Sequence, residues 1–424
     1  MAQGRLLGPV LAIACLVLAS SAVQAQPFGT ELHNTLMPAS GGMGGVSIAR
    51  PQDVTSAING NPATLTQFRG THFHFGGAWS DATFKLTQTS NIPTAGPALI
   101  QPYSATSSAP GTPAGNFGVT QDFSAFGLPA TFGLGFVTTS GGFADFRSVP
   151  QSNGTNSAST VFNMPASLGI DLTDRWSVGA TGSFGIAFFD TPIVRHSGMT
   201  PDYALRGTFG TTFKLTDATT LGAYYQTEQS YKFKNAVVVD PLFLPFQANV
   251  DVRADLPQNI GFGIANSSLM DGRLLLGIDV LYKLWDQAAL YQNVYDNQLV
   301  VQLGSQYSVG RLRLRSGYVW AENPMDKSPN NNLGGIVLPS GIAAIYYTEG
   351  LLAVTSQHRI TGGVGVVDVL PGVDFDLMAG GMLHDSEQHG PFTTTSISSY
   401  WLGAGLTWRF SRGSCCPTGA PNNW

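Results

Sequence analysis

Long runs of two-residue alternation constrain this chain more than any other feature. From Trp176 the even positions read Trp176, Val178, Ala180, Gly182, Phe184, Ile186 and Phe188. The odd positions between them read Ser177, Gly179, Thr181, Ser183, Gly185 and Ala187. In an extended strand, successive side chains point to opposite faces, so one face of this segment is apolar and the other small or polar. Leu274, Leu276, Ile278, Val280, Tyr282 and Leu284 repeat the pattern against Arg273, Asp279 and Lys283. Leu312, Leu314, Tyr318 and Trp320 repeat it against Arg311, Arg313 and Arg315, and Tyr400 to Phe410 closes the series. A soluble sandwich also alternates, but its strands usually run to about five or six residues. The segment from Arg175 to Asp190 is far longer. Aromatics also sit at strand ends, Trp176 with Phe188 and Tyr400 with Trp408. A membrane barrel carries its interfacial girdles there.

Composition supports the same class. Charged residues make up 11% of the 424, against roughly 25% in soluble globular chains. The chain holds 25 Phe and 51 Gly, yet its mean hydropathy is near zero. After the N-terminus no apolar run reaches the ~20 residues of a membrane helix. The formal net charge of −5 gives no basic footprint for nucleic acid.

Arg5, the apolar stretch Leu6 to Leu18 and the small residues of Val23-Gln24-Ala25 predict an export signal over residues 1–25. Cys15 lies too early, inside the apolar core, for a lipoprotein signal. The mature chain then holds only the adjacent Cys415 and Cys416, which cannot staple distant elements.

Short turns are expected near Gly127-Leu128-Pro129, Thr173-Asp174, Thr216 to Ala218, Asn266 to Gly272, Val309-Gly310 and Leu370 to Gly372. Longer polar or Gly/Pro-rich connections are expected at 90–115, 140–158, 191–202, 235–249, 291–297, 322–355 and 385–397. Short and long connections alternate, as in outer-membrane barrels. The strands between them number about 14. The predicted fold is therefore an all-β, transmembrane antiparallel β-barrel over residues 71–410, followed by a tail over 411–424. Residues 26–70 break the strand pattern, with short helices expected at Gln52–Ile58 and Pro62–Phe68. Their apolar residues need cover, and a hatch, or plug, inside the lumen provides it.

Gly41, Gly42, Gly44 and Gly45 stand in the run Ser40 to Ala49, followed by Asp53 and then Asn61-Pro62-Ala63. Leu256-Pro257-Gln258, Asp279-Val280-Leu281-Tyr282 with Trp285, and Gly317-Tyr318-Val319-Trp320 before Pro324 follow in order, and then His358 to Gly365. In this order the motifs resemble those of the FadL/TodX family of outer-membrane transporters for hydrophobic compounds, the first group being similar to the family's N-terminal hatch. The resemblance spans nearly the whole mature chain. It implies a 14-stranded barrel in the bacterial outer membrane, working as a monomer and closed by the hatch. It also implies passive, ligand-gated uptake of long-chain fatty acids or aromatic hydrocarbons. Ligand would be captured at the outer loops and would leave sideways into the membrane lipids at a strand kink. Gly133 and Gly135 in the third strand are candidates for that kink, since glycine marks bends in barrel strands. Barrels read by the assembly machinery usually end on an aromatic residue; Phe410 fills that place, but fourteen residues follow it.

A fatty-acid carboxylate needs a cation in a partly dry site. Arg206, Lys283, Arg313, Arg315 and Arg359 are lumen-facing candidates, with an interior salt-bridge lattice as their alternative role. The segments Val237–Phe246 and Ile336–Ile345 are unusually apolar for outer loops. Leu242, Phe243, Leu244, Phe246, Ile342 and Ile345 form a candidate first-capture patch. His384 to His389 is too loosely spaced for a metal site. No Gly-x-Ser-x-Gly, His-Glu-x-x-His or P-loop lysine is present, so no catalytic set, cofactor or metal is expected. A general aqueous porin would lack a plug, and a lipid-modifying enzyme would need a nucleophile and base that nothing here singles out.

Overall fold

In the computed structural model, the described residues are 33–92, 100–190, 199–239, 248–325, 332–333, 336–337, 342–353 and 357–410. The predicted signal, the first residues of the hatch segment and the tail with Cys415 and Cys416 lie outside them. Fourteen strands form the barrel. They are β1 (Thr71–Gln88), β2 (Thr112–Asp122), β3 (Ala130–Asp145), β4 (Asn156–Asp171) and β5 (Trp176–Asp190). Next come β6 (Thr200–Lys214), β7 (Thr219–Gln226), β8 (Gln258–Leu269), β9 (Leu274–Leu284) and β10 (Gln298–Val309). The last four are β11 (Leu312–Ala321), β12 (His358–Leu370), β13 (Val373–His389) and β14 (Thr393–Arg409). Each strand pairs antiparallel with its sequence neighbour, and β14 pairs with β1 from His72↔Arg409 to Gln88↔Thr393. This pairing leaves the sheet without a free lateral edge, the device that lets a sheet stand in lipid.

The exterior carries the apolar half of each alternation. Phe75, Phe209, Phe262, Leu205, Ile360 and Leu370 are more than half exposed, Leu205 reaching 75%. The interior carries the small and polar half, with Asn116, Thr181, Asp279, Gln302 and Asp376 buried.

One expected long connection is not a loop. Residues 385–397 largely continue β13 and β14, which pair through Asp385↔Ile397 and Glu387↔Thr395 up to His389↔Thr393. A barrel strand that outruns the lipid belt becomes polar on both faces, so polarity marks the end of the membrane rather than the end of the strand. The 235–249 stretch likewise contains ends of two strands, Gln229–Val239 and Ala248–Leu256, which pair as a hairpin continuing β7 and β8. Its Tyr231 and Phe233 lean inward, Phe233 stacking on Phe189 of β5 at 4.9 Å. Two of the hatch helices are α1 (Pro38–Gly41) and α2 (Val54–Asn59); the long-loop rim carries a third, α3 (Ile342–Leu352).

Candidate functional site

The hatch begins with a 3-10 turn, His33–Leu36, and continues through α1 into the glycine run. Gly44 (φ 74°) and Gly45 (φ 88°) adopt the left-handed conformation that side chains disfavour. Gly41 and Gly42 are needed for another reason, close approach: a Cβ on Gly42 would lie 3.1 Å from Gly363 Cα of the wall. Asp53 caps α2 with Oδ1, which accepts from Ser56 N and Thr55 Oγ1, both at 2.7 Å. Its Oδ2 accepts from Ser40 N at 3.0 Å and so ties the glycine run to the helix.

Burial pulls the Asp53 carboxyl up, but His74 and the donors around it outweigh burial and hold it below the usual carboxylate range. A depressed carboxyl stabilises the fold fully above its unfolded value of about 4, and that contribution fades as pH falls through the lower folded value. Acidification below about pH 4 should therefore loosen α2. Hydrogen exchange at the Ser56 amide checks this, and Asp53→Asn should remove that part of the pH dependence.

Asn61 starts the 3-10 turn Pro62–Gln67. Its Oδ1 accepts from Ala63 N at 3.1 Å, and its Nδ2 donates to Ile48 O at 2.8 Å and to Thr211 O of β6 at 3.0 Å. One side chain thus caps a turn, joins two hatch segments and ties both to the wall. Pro62 sits at the first helical position, where its missing N–H costs nothing.

The wall receives the hatch in a trough of glycines. A Cβ on Gly179 of β5 would meet Ala63 N at 2.5 Å, and one on Gly169 of β4 would meet Pro62 O at 2.7 Å. On Gly210 of β6 it would overlap Asn61 Oδ1, and on Gly317 of β11 it would overlap Gly44 N. Gly169, Gly179 and Gly210 are direct neighbours in register, as are Gly277, Gly304 and Gly317. The trough therefore runs across the strands. The sequence reading missed it, because glycines dispersed over distant strands become contiguous only after pairing.

Asp279 of β9 adds a polar anchor. It is fully buried, and its Oδ2 accepts from Ser47 N at 2.6 Å and Ile48 N at 2.9 Å. Thr361 Oγ1 of β12 accepts from Gly44 N at 2.9 Å.

The wall is not paired along its full height. Pairing of β2 with β3 stops at Asn116↔Val137, although β2 extends to Thr112 and β3 to Asp145. Beyond that pair Thr138 Oγ1 reaches Gly115 O at 3.1 Å. On its other side β3 bulges between Thr138 and Ser140. A cavity opens at this seam, lined by Ala114, Thr138, Ser140 and Thr160 of the wall and by His33 and Leu36 of the hatch. Gly133 and Gly135, the predicted kink, lie lower, in regular register with Thr120 and Gly118. They make room for Ile58 of α2, whose carbons would stand 3.0 and 3.4 Å from a Cβ at those positions. The upper half of the third strand pairs with β4 up to Asp145↔Asn156 but not with β2.

The candidate cations separate into distinct roles. Arg315 pairs with Asp376 at 2.5 Å and donates from Nε to Gln306 Oε1 at 2.7 Å. Arg313 lies on the same face of β11. Arg206 donates to the carbonyls of Thr227 and Pro257, where β7 leaves the wall to form the hairpin. Lys283 lies 5.8 Å over the Trp285 ring. Arg359 is buried with Nε unbonded. Of the capture candidates, Leu242, Phe243, Leu244 and Phe246 lie outside the described residues. Ile342 opens α3, and Ile345 is fully buried rather than exposed. The rim elements pack on one another: Tyr347 of α3 meets Tyr103 hydroxyl to hydroxyl at 2.6 Å and donates to Thr155 Oγ1 at 3.0 Å. Burial pushes the Tyr347 phenol up to about 12, so it stays neutral.

No family model matches the chain, and no curated protein matches it in sequence. Solved structures do. The P. putida toluene transporter TodX superposes with a TM-score of 0.64 at 17% identity, covering 89% of this chain and 100% of that one. A Pseudomonas aeruginosa FadL homologue gives 0.65 at 14% identity, covering 91% and 100%. The chain has the FadL/TodX fold. The monoaromatic hydrocarbon channel CymD matches less closely, with a TM-score of 0.56 at 17% identity over 90% of this chain. Coverage of these FadL/TodX-type chains is essentially complete. The short Gly-rich and Asn-Pro-Ala motifs therefore sit in a shared architecture, although overall identity is low.

Proposed function

We propose that this chain is an outer-membrane channel for passive uptake of hydrophobic small molecules, with a long-chain fatty acid or an aromatic hydrocarbon as ligand. One observation carries the reading. The N-terminal segment packs into a glycine trough inside the barrel, and beside it the β2–β3 pairing ends at Asn116↔Val137 next to a cavity. An aqueous porin has no use for a stopper in its lumen. An apolar solute gains nothing from a water-filled bore, but it gains from apolar surface offered in steps and from a sideways exit into lipid.

The long-loop rim faces outward and the tight turns face the periplasm. Ligand enters among the packed rim loops, a shift of the hatch turn His33–Leu36 widens the seam cavity, and ligand leaves between β2 and β3. Outside that seam, Phe117 and Phe136 stack at 5.7 Å, and Phe136 stacks on Phe162 at 5.5 Å. These rings form an apolar landing next to the acyl chains. Transport needs no chemistry and no energy source, and the protein acts as a channel rather than an enzyme. It works as a monomer, delivered by the barrel assembly machinery that reads Phe410.

Liposome uptake of labelled oleate, toluene and a sugar tests the reading. Oleate or toluene should enter and the sugar should not. Sugar passage without either apolar solute would sink it. Ala114 lines the seam from β2. An Ala114→Trp side chain should fill the cavity and remove most of the hydrophobic flux, leaving barrel folding intact.

A further inference from the structure

The two strands of the rim hairpin, Gln229–Val239 and Ala248–Leu256, leave the wall where its pairing stops. β6 and β7 pair from Lys214↔Thr220 to Thr208↔Gln226, and Thr227 N adds one bond to Gly207 O at 2.9 Å. Beyond that bond β6 continues to Thr200 paired with β5, while the hairpin forms a two-stranded sheet of its own. Its first strand alternates: Ser230, Lys232 and Lys234 are exposed, and Gln229, Tyr231 and Phe233 are buried. The buried face reaches β5, two strands away. Gly185 of β5 faces the lumen, and a Cβ there would overlap Gln229 Nε2 and Tyr231 Oη. Gln229 Nε2 donates to Asn163 Oδ1 of β4 at 2.8 Å, and Phe233 stacks on Phe189 of β5 at 4.9 Å. On the other flank Asp255 N donates to Ala289 O at 3.1 Å, and Trp285 and Tyr291 of the β9–β10 connection join the same apolar cluster as Phe233. The strands thus span the lumen from the β4–β5 wall to the β9–β10 connection.

Ladder hydrogen bonds stiffen a barrel wall, and the described strands of this hairpin pair only with each other. They are held at their two stems. Arg206 of β6 donates from Nε to Thr227 O at 2.8 Å and from Nη2 to Pro257 O at 2.5 Å, so one side chain staples both stems. Pro257 lacks the N–H that would carry the β8 ladder upward. Above the stems a side chain replaces a ladder: Lys232 N donates to Asp202 Oδ2 of β6 at 2.6 Å. An element hinged at one end and seated by side chains belongs to the low-stability end of a fold, the part that opens first. We propose that these two strands form a swinging gate over the outer mouth. Seated in the Gly185 notch they cover the lumen, and they lift on the stems stapled by Arg206 before an apolar solute passes inward. This rests on the channel reading and deepens it by naming the element that regulates entry. The gate lifts without ligand, so it sets the rate of entry and leaves tightness to sugar to the hatch.

The test locks the gate shut. In a full chain carrying Cys415→Ser and Cys416→Ser, Asp202→Cys and Lys232→Cys put two thiols at the β6 tie. A short bis-methanethiosulfonate then joins them reversibly, and peptide mapping verifies the link. Liposome uptake of labelled oleate and toluene should lose most of its initial rate on linking and regain it on reduction. Chains with either single cysteine, treated alike, should keep their rate. Gly185→Leu fills the notch, unseats the strands and should raise the initial rate; heat-modifiable migration on gels confirms that this barrel is folded. A rate that a verified link leaves unchanged, or that a folded Gly185→Leu barrel leaves at the wild-type value, overturns the gate and leaves the channel reading standing. If the unlinked chain takes up neither solute, both fall together.

Discussion

Removing residues 33–69 should turn a sugar-tight barrel into an open pore. A 14-strand cylinder lies between small barrels, whose interior side chains fill, and porins of 16 to 18 strands, which enclose water. Its inward glycines, among them Gly179, Gly210 and Gly317, leave the wall too thin to close the bore by itself. The strand pairing runs entirely between wall strands, so the barrel should still form and insert. Sugar entry into liposomes should rise from background to the level of an open porin. Single-channel conductance should rise with it. Gly317→Leu should produce a graded version, since its Cβ would overlap Gly44 N and push the glycine run off the wall. If sugar stays excluded after the deletion, the packed rim loops around Tyr347 and Tyr103 form the barrier, and the hatch has another role.

Asp279→Ala should release the middle of the hatch without unfolding the wall. The substitution strips the acceptor from two buried amides, Ser47 N and Ile48 N, and leaves both without a partner. A hydrogen bond contributes about 0.5 to 1.5 kcal/mol net, and an orphaned buried donor costs about 1 to 3 kcal/mol. A local loss of about 3 kcal/mol is expected, or roughly a hundredfold faster exchange at these two amides. Asp279→Asn keeps a carbonyl acceptor and should lose less. Exchange rates in β9 should barely change in either variant. A uniform rise in exchange over wall and hatch together would mean that Asp279 supports the barrel rather than the stopper.

Much of the wall was legible in the sequence. The alternation at Trp176–Phe188 and Leu274–Leu284 marks β5 and β9, and the tight turns at Thr216 to Ala218 and Leu370 to Gly372 fall between paired strands. The hatch helices were visible in the Asp53 cap and in the Asn61-Pro62 pair. Polar composition misled at 385–397, where strands continue beyond the lipid belt. At Gly133 and Gly135 the structure shows a close approach of Ile58 from the hatch, which strand periodicity does not reveal. The five candidate cations could not be ranked from sequence, because a charge on an inward face looks the same whether or not a partner lies across the lumen.

The sequence by itself determined which residues face lipid, that the sheet is antiparallel with about fourteen strands, and that the N-terminal segment needs cover. All three follow from local periodicity and turn chemistry, which a few neighbouring residues are enough to express. Only the tertiary structure decided where β2 and β3 part, that the wall glycines align into a trough, and that Arg359 lacks the counter-charge Arg315 finds in Asp376. These depend on register around a closed cylinder, which brings residues hundreds of positions apart into contact.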